Sequence, residues 1–358
     1  MYNYLSFIAL LVFLRSCSAG RLHFLALGDW GGIDYFPYHT QEQVDTADGM
    51  AKVAAEQESE FVLALGDNFY YAGLMDDDAF AQTRFEDTFE KVYYHDELQV
   101  PWHVIGGNHD YCGDIHKQIT IATDPSNRWS FPDFNYKITK EFTDDESGMT
   151  VKLDIIMIDT MQVAGFHCVQ EREELTDEFF AQPLGPLSLA EASATLSFIE
   201  DALANSDADF LLVVGHYPIY SPCSHGNTDE LVEKLDPLLR KYGVTAYISG
   251  HEHCQFHYSY DEMEYFLTGT GMSCCYSADN RNSLPREGDL KYILADSSLY
   301  SGSSGVKGGF MSFDVGGDDI RVTIHKEDGF SLYETVLRPR SDHFKSSSDP
   351  TEEAIAVE

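Results

Sequence analysis

The chain has 358 residues, 43% of them hydrophobic and 13% aromatic, which is enough for one large core and excludes a disordered protein. Asp and Glu total 60 against 23 Lys and Arg, a net charge of −37. Such a surface repels nucleic acid and anionic membranes, and no basic stripe interrupts it.

In chain order, the first feature is an apolar run from Leu5 to Leu14, short for a bilayer and followed by Cys17-Ser18-Ala19. Residues 1–19 therefore read as a signal peptide, with mature sequence from Arg21. No later stretch reads as a transmembrane helix, and the C-terminus lacks a hydrophobic tail, so no stable membrane anchor is expected. Strand-like apolar runs follow at Leu22–Leu27, Phe61–Leu65, Val100–Ile105, Val151–Ile158, Phe210–Val214, Ala246–Ser249 and Phe310–Val315. Helical patterns at Gln43–Glu56, Asp78–Tyr93, Leu189–Leu203 and Asp229–Tyr242 lie between several of them. This alternation predicts an α/β layered domain with substantial sheet, spanning residues 21–335 without a linker. Residues 165–186 read as a long acidic surface loop, and 340–358 as an acidic disordered tail.

Six cysteines remain after Cys17 leaves with the signal: Cys112, Cys168, Cys223, Cys254, Cys274 and Cys275. An even number in an exported chain points to disulfides, with 15 possible pairings, or to free buried thiols. Cys112, Cys223 and Cys254 each follow a motif and could staple its loop. No Asn-x-Ser/Thr sequon occurs.

Several strand-like runs end in Gly followed by a polar residue able to bind metal, in LALGDW, LALGDN, VIGGNHD, VVGHYP and YISGHEH. Loops at strand ends gather on one rim of a layered α/β domain, where ligands bind. Asp29, Asp67, Asn108, His216, His251 and His253 would thus meet. Singly each could be a turn or core residue; five such loops together point to a metal site. Carboxylate, amide and imidazole donors suit first-row divalent and trivalent metals. They are too many for one tetrahedral zinc. Two ions sharing a carboxylate are the economical arrangement, and such pairs hydrolyse phosphate esters.

The blocks GDWG (28–31), GDNFYYAG (66–73), GNHDY (107–111), GHYP (215–218) and GHEH (250–253) resemble the five motifs of the metallophosphoesterases. With SNRWSFP (126–132), they resemble more narrowly the small purple acid phosphatases, which include the animal tartrate-resistant forms. Gly31 stands where many metallophosphoesterases carry a His, and Tyr70 supplies the missing donor.

The resemblance implies two mixed β-sheets packed as a sandwich, flanked by helices on both outer faces. It implies Fe3+ on Asp29, Asp67, Tyr70 and His253. A divalent Fe2+, Zn2+ or Mn2+ would lie on Asn108, His216 and His251, with Asp67 bridging. It implies His109 and His225 as outer histidines that bind phosphate or protonate the leaving oxygen. The expected activity is hydrolysis of small phosphomonoesters or phosphoproteins in acid by a hydroxide generated at the metals. The expected location is extracellular or an acidic lumen such as a vacuole or lysosome. The alternatives are a phosphodiesterase on the same scaffold, or a non-hydrolytic iron redox or phosphate-binding protein. His23, His39, His95, His103, His116 and His257 match no motif and read as structural or surface residues. Oligomeric state is left open.

Overall fold

Central strands buried on both faces must be apolar throughout, and such runs form the middle of both sheets. A computed structural model describes residues 20–121, 128–145, 147–168, 183, 185–295 and 305–340. The expected signal peptide, most of the acidic loop (169–182 and 184) and the tail beyond Arg340 lie outside the described residues. The strands are β1 Leu22–Leu27, β2 Phe61–Ala64, β3 Trp102–Val104, β4 Trp129–Ser130, β5 Tyr136–Thr143, β6 Thr150–Met157 and β7 Phe210–Val214. They continue with β8 Ala246–Ser249, β9 Gln255–Tyr260, β10 Met263–Thr268, β11 Leu290–Leu294, β12 Gly309–Val315, β13 Ile320–Lys326 and β14 Ser331–Leu337. The helices are α1 Gln41–Gln57, α2 Asp78–Phe85, α3 Ile115–Ile121, α4 Thr160–Ala164, α5 Leu189–Ala204, α6 Asp229–Lys234 and α7 Asp236–Lys241.

Two seven-stranded mixed sheets result, ordered β14-β13-β12-β1-β2-β3-β4 and β11-β9-β10-β8-β7-β6-β5. Strands β1 to β4 run parallel in the first sheet, as do β6, β7, β8 and β10 in the second. Side chains alternate between layers, as the pleat requires. Phe24, Phe61, Leu212, Val214 and Ile248 fill the space between the sheets. Leu25, Leu27 and Val62 face α1 on one side; Leu211, Val213 and Tyr247 face the helices on the other. The predicted sandwich is the observed fold.

Several elements differ from the sequence reading for identifiable reasons. The helix expected over 229–242 is two, because Pro237 near the start of α7 cannot donate into α6. The helix expected over 78–93 stays α-helical only to Phe85, then widens into a π turn over Glu86–Glu90. Strands β5 and β14 lie at sheet edges and alternate polar with apolar residues, so no apolar run marks them. The β9–β10 hairpin turns through Asp261 and Glu262, both at positive φ, rather than through a recognisable Asn-Gly pair. α1 is capped by Thr40, whose hydroxyl accepts from Gln43 N at 3.0 Å.

His103 on β3 packs against the Phe61 ring, and neither of its buried ring nitrogens has a partner. Burial, aided by Lys140, pushes its pKa down to about 4. The unfolded chain binds this proton below about pH 6.5, whereas the folded chain resists until about pH 4. Folding stability therefore falls as pH drops through that window, by about 3 kcal/mol in all. His103→Leu is expected to narrow the gap between melting temperatures at pH 7 and pH 4. An unchanged gap would refute this account.

Candidate metal centre

Strands running parallel end on the same side of a sheet, so their following loops share a rim. The loops after β1, β2, β3, β7 and β8 carry Asp29, Asp67 with Tyr70, Asn108 with His109, His216, and His251 with His253. His225 follows in the loop after His216. The structure brings all nine residues to one cleft, Asp29 and His216 fully buried behind it and the other seven lining it. Asp29, Asp67 and His251 sit at φ +56°, +52° and +73°, a left-handed conformation that costs non-glycine residues about 1 kcal/mol each. Unfavourable backbone of this kind persists where packing over-determines a functional geometry. Gly66 is needed at φ +92°, since a Cβ there would lie 2.6 Å from His216 Nδ1.

The donors form two groups that share Asp67. Tyr70 Oη lies 3.1 Å from Asp29 Oδ1, 3.0 Å from Asp67 Oδ2 and 3.0 Å from His253 Nε2. On the other side, Asn108 Oδ1 lies 3.0 Å from His216 Nε2 and 3.1 Å from His251 Nδ1, and Asp67 Oδ1 lies 3.5 Å from His216 Nε2. Side-chain donor atoms of Asp67, His216 and His251 all fall within 4.8 Å of one another.

Proton counting tests whether this set fits cations. His216 Nδ1 donates to Leu65 O at 2.8 Å, so in a neutral ring Nε2 is a bare lone pair. That lone pair faces the oxygens of Asn108 and Asp67, which also offer lone pairs. Tyr70 has one proton for three neighbours. Burial drives His251 well down and His253 down to about 3, leaving both rings neutral. Burial and the neighbouring Asp67 hold the Asp29 carboxyl well above the usual range, and burial with Asp29 and Asp67 does the same to Tyr70. Lone pairs that converge with too few protons between them fit metal ions, whose binding would displace the proton held on Tyr70.

A family model described as the calcineurin-like phosphoesterases matches residues 22–255. The chain belongs to the calcineurin-like phosphoesterase family. Tartrate-resistant acid phosphatase type 5 of Rattus norvegicus is 36% identical over 341 residues, 93% of this chain and 96% of that one. Purple acid phosphatase 3 of Arabidopsis thaliana is 29% identical over 88% of this chain and 77% of that one. The solved structure of GAP50, titled the anchor in the inner membrane complex of Plasmodium, covers 94% of this chain and 100% of that one with a TM-score of 0.70. At 18% identity this last likeness speaks for the fold alone. The relatives place this phosphoesterase among the acid phosphatases, as an enzyme that hydrolyses phosphate esters.

Three residues of the phosphoesterase's site lie outside the candidates that the sequence singled out. Glu252, fully buried between His251 and His253, accepts from Ser221 Oγ at 2.7 Å, His225 N at 2.9 Å and Gly226 N at 3.1 Å. Its Oε2 lies 3.0 Å from His225 Nδ1. Asp110 accepts from Asn68 N, Phe69 N, Gly107 N and Gln118 Nε2, tying the second motif loop to the third. His167 also lines the cleft. A buried acid inside a ligand motif was a signal for Glu252 and Asp110; His167 offered none.

The six cysteines pair as Cys112–Cys168, Cys223–Cys254 and Cys274–Cys275. The first two pairs staple motif loops, as their positions suggested. Of the unmatched histidines, His257 lies buried between Tyr333 and Glu264 in a structural role. Among the described residues no helix is long and apolar enough to cross a membrane.

Proposed function

We propose that this phosphoesterase is an acid phosphatase that hydrolyses phosphate monoesters at a dinuclear centre. In this reading Asp29, Asp67, Tyr70 and His253 would hold Fe3+, and Asn108, His216 and His251, with Asp67 bridging, would hold Fe2+, Zn2+ or Mn2+. The observation that carries the reading is the division of donors about Asp67, one oxygen turned to each group. A phenol among carboxylates suits a hard trivalent ion, and amide with imidazoles suits a divalent one. When bound, the ions would polarise phosphoryl oxygens and lower the pKa of water at the site.

The outer residues supply the rest. His109 Nδ1 donates to Tyr71 O at 2.7 Å, which leaves Nε2 to meet a phosphate oxygen or the leaving group. Glu252 holds Nδ1 of His225 and so turns its Nε2 to the same task. No lysine or arginine lines the cleft among the described residues, so imidazoles and bound cations must meet the anionic ester. The acid phosphatase relatives support small phosphate esters as substrates, with phosphoproteins included in the proposal. In this proposal the catalytic domain spans 21–335, after a signal peptide over 1–19 that would send it to the exterior or to an acidic lumen.

The test uses one purified sample for metal content, visible spectrum and rate. It should hydrolyse p-nitrophenyl phosphate in acid far faster than the bis ester, carry two metal equivalents and show a visible band that Tyr70→Phe removes. Preference for the bis ester would reassign the enzyme as a diesterase. A single metal equivalent at full activity would end the dinuclear reading.

A further inference from the structure

Five strand-end loops build the cleft described above, yet β6 also runs parallel to β7 and ends on the same rim. The chain after β6 passes through α4 and then delivers His167 to the cleft wall. His167 belongs to none of the five motif blocks.

Two anchors fix this residue. At its base, Gly185 N donates to Ala164 O at 3.1 Å, and Gly165, at φ +83°, packs so closely on Gly185 that a Cβ would collide with the Gly185 carbonyl. On its far side, Cys168 is bonded to Cys112, with Cα atoms 5.4 Å apart. Cys112 ends the short helical turn that follows Asn108 and His109. Its sulfur lies 3.9 Å from His167 O. Phe166 packs on Tyr111 with ring centroids 5.0 Å apart. His167 is thus held within three residues between a glycine pinch and a disulfide rooted in the third motif loop.

We propose that His167 is a third outer histidine, whose imidazole N–H donates to a phosphate oxygen of the bound ester, and that the Cys112–Cys168 bond positions it. The chemistry favours this use. A phosphate ester offers several anionic oxygens, and His167 brings an imidazole, a group able to donate N–H, to a wall without lysine or arginine among the described residues. The inference rests on the phosphatase reading above and adds a binding residue to it.

The test compares full-length, metal-loaded variants for inorganic phosphate affinity by calorimetry and for kcat and KM on p-nitrophenyl phosphate. His167→Ala is expected to weaken phosphate binding and kcat/KM about 10-fold with metal content unchanged, the loss of one charge-assisted hydrogen bond. His167→Gln, which keeps an N–H donor, should recover part of both. Cys112→Ser with Cys168→Ser should reproduce the His167→Ala loss, and adding His167→Ala to that pair should cost little more. Wild-type phosphate affinity and kcat/KM in His167→Ala, with His109→Ala impaired alongside, would overturn the proposal and leave the phosphatase reading intact. A metal-loaded wild type that cleaves no monoester would overturn the phosphatase reading itself. Phosphate affinity would then decide the role of His167 alone, an unchanged value in His167→Ala overturning it and a 10-fold loss upholding it.

Discussion

Asp67→Asn is expected to lower kcat by at least about 10³-fold and to strip at least one metal equivalent, with far-ultraviolet dichroism unchanged. Asp67 sets one carboxylate oxygen toward side-chain donors of each group, Oδ2 lying 3.0 Å from Tyr70 and Oδ1 3.5 Å from His216 Nε2. Oδ1 also accepts from His109 N at 3.0 Å, so the same carboxylate fixes the outer histidine's backbone. An amide has one oxygen. Whichever way it turns, an N–H2 donor replaces an anionic lone pair at one of the two groups. The loss of charge would weaken both proposed ion sites together, which a variant at any residue of a single group would not do. Metal analysis and steady-state kinetics on the same preparation check it. Retention of two equivalents with more than a tenth of the activity would show that Asp67 is not shared.

Glu252 should show the second large effect. It is fully buried and meets the Ser221 hydroxyl and the backbone N–H groups of His225 and Gly226. Glu252→Ala removes these acceptors at once. Leaving such donors unpaired in the interior costs about 1–3 kcal/mol each, so a loss of several kcal/mol and a clear drop in Tm are expected. The kcat should fall by about 10²-fold, because general acid–base or binding histidines contribute on that scale. Glu252→Gln separates the two roles. Its remaining oxygen can still accept from Ser221 and the backbone, so Tm should stay near wild type. Its amide nitrogen faces His225 Nδ1, so the ring loses its orientation and kcat falls. If Glu252→Gln melts like wild type and also turns over like wild type, Glu252 only holds the loop together. A loss that His225→Ala does not deepen would assign it to the positioning of that histidine.

Both variants act through contacts between distant parts of the chain, and this marks the limit of what the linear order could show. The strands β1, β2, β7 and β8 were legible because a strand buried on both faces must be apolar along its whole length. The seven proposed metal-binding residues with His109 and His225 were legible for a related reason. Each follows the end of a parallel strand, β1, β2, β3, β7 or β8, or belongs to the loop beyond it, and strand ends share a rim whatever the details of packing. The edge strands β5 and β14 escaped because one face meets solvent, so their polar residues break the apolar run. The division at Pro237 was written in the sequence and outweighed by the helical periodicity around it.

The amino-acid order by itself thus determined the layered class, the apolar strands of the interior and the residues that meet at their ends. Only the tertiary structure decided which oxygens of Asp67 face which partners, which cysteines pair, and which acids hold the histidines. It alone placed His167, 58 positions beyond His109, on the same cleft wall. The reason is physical. Burial patterns follow from local periodicity, whereas a hydrogen-bond partner or a disulfide depends on the directions of side chains from separate layers, which no single segment contains.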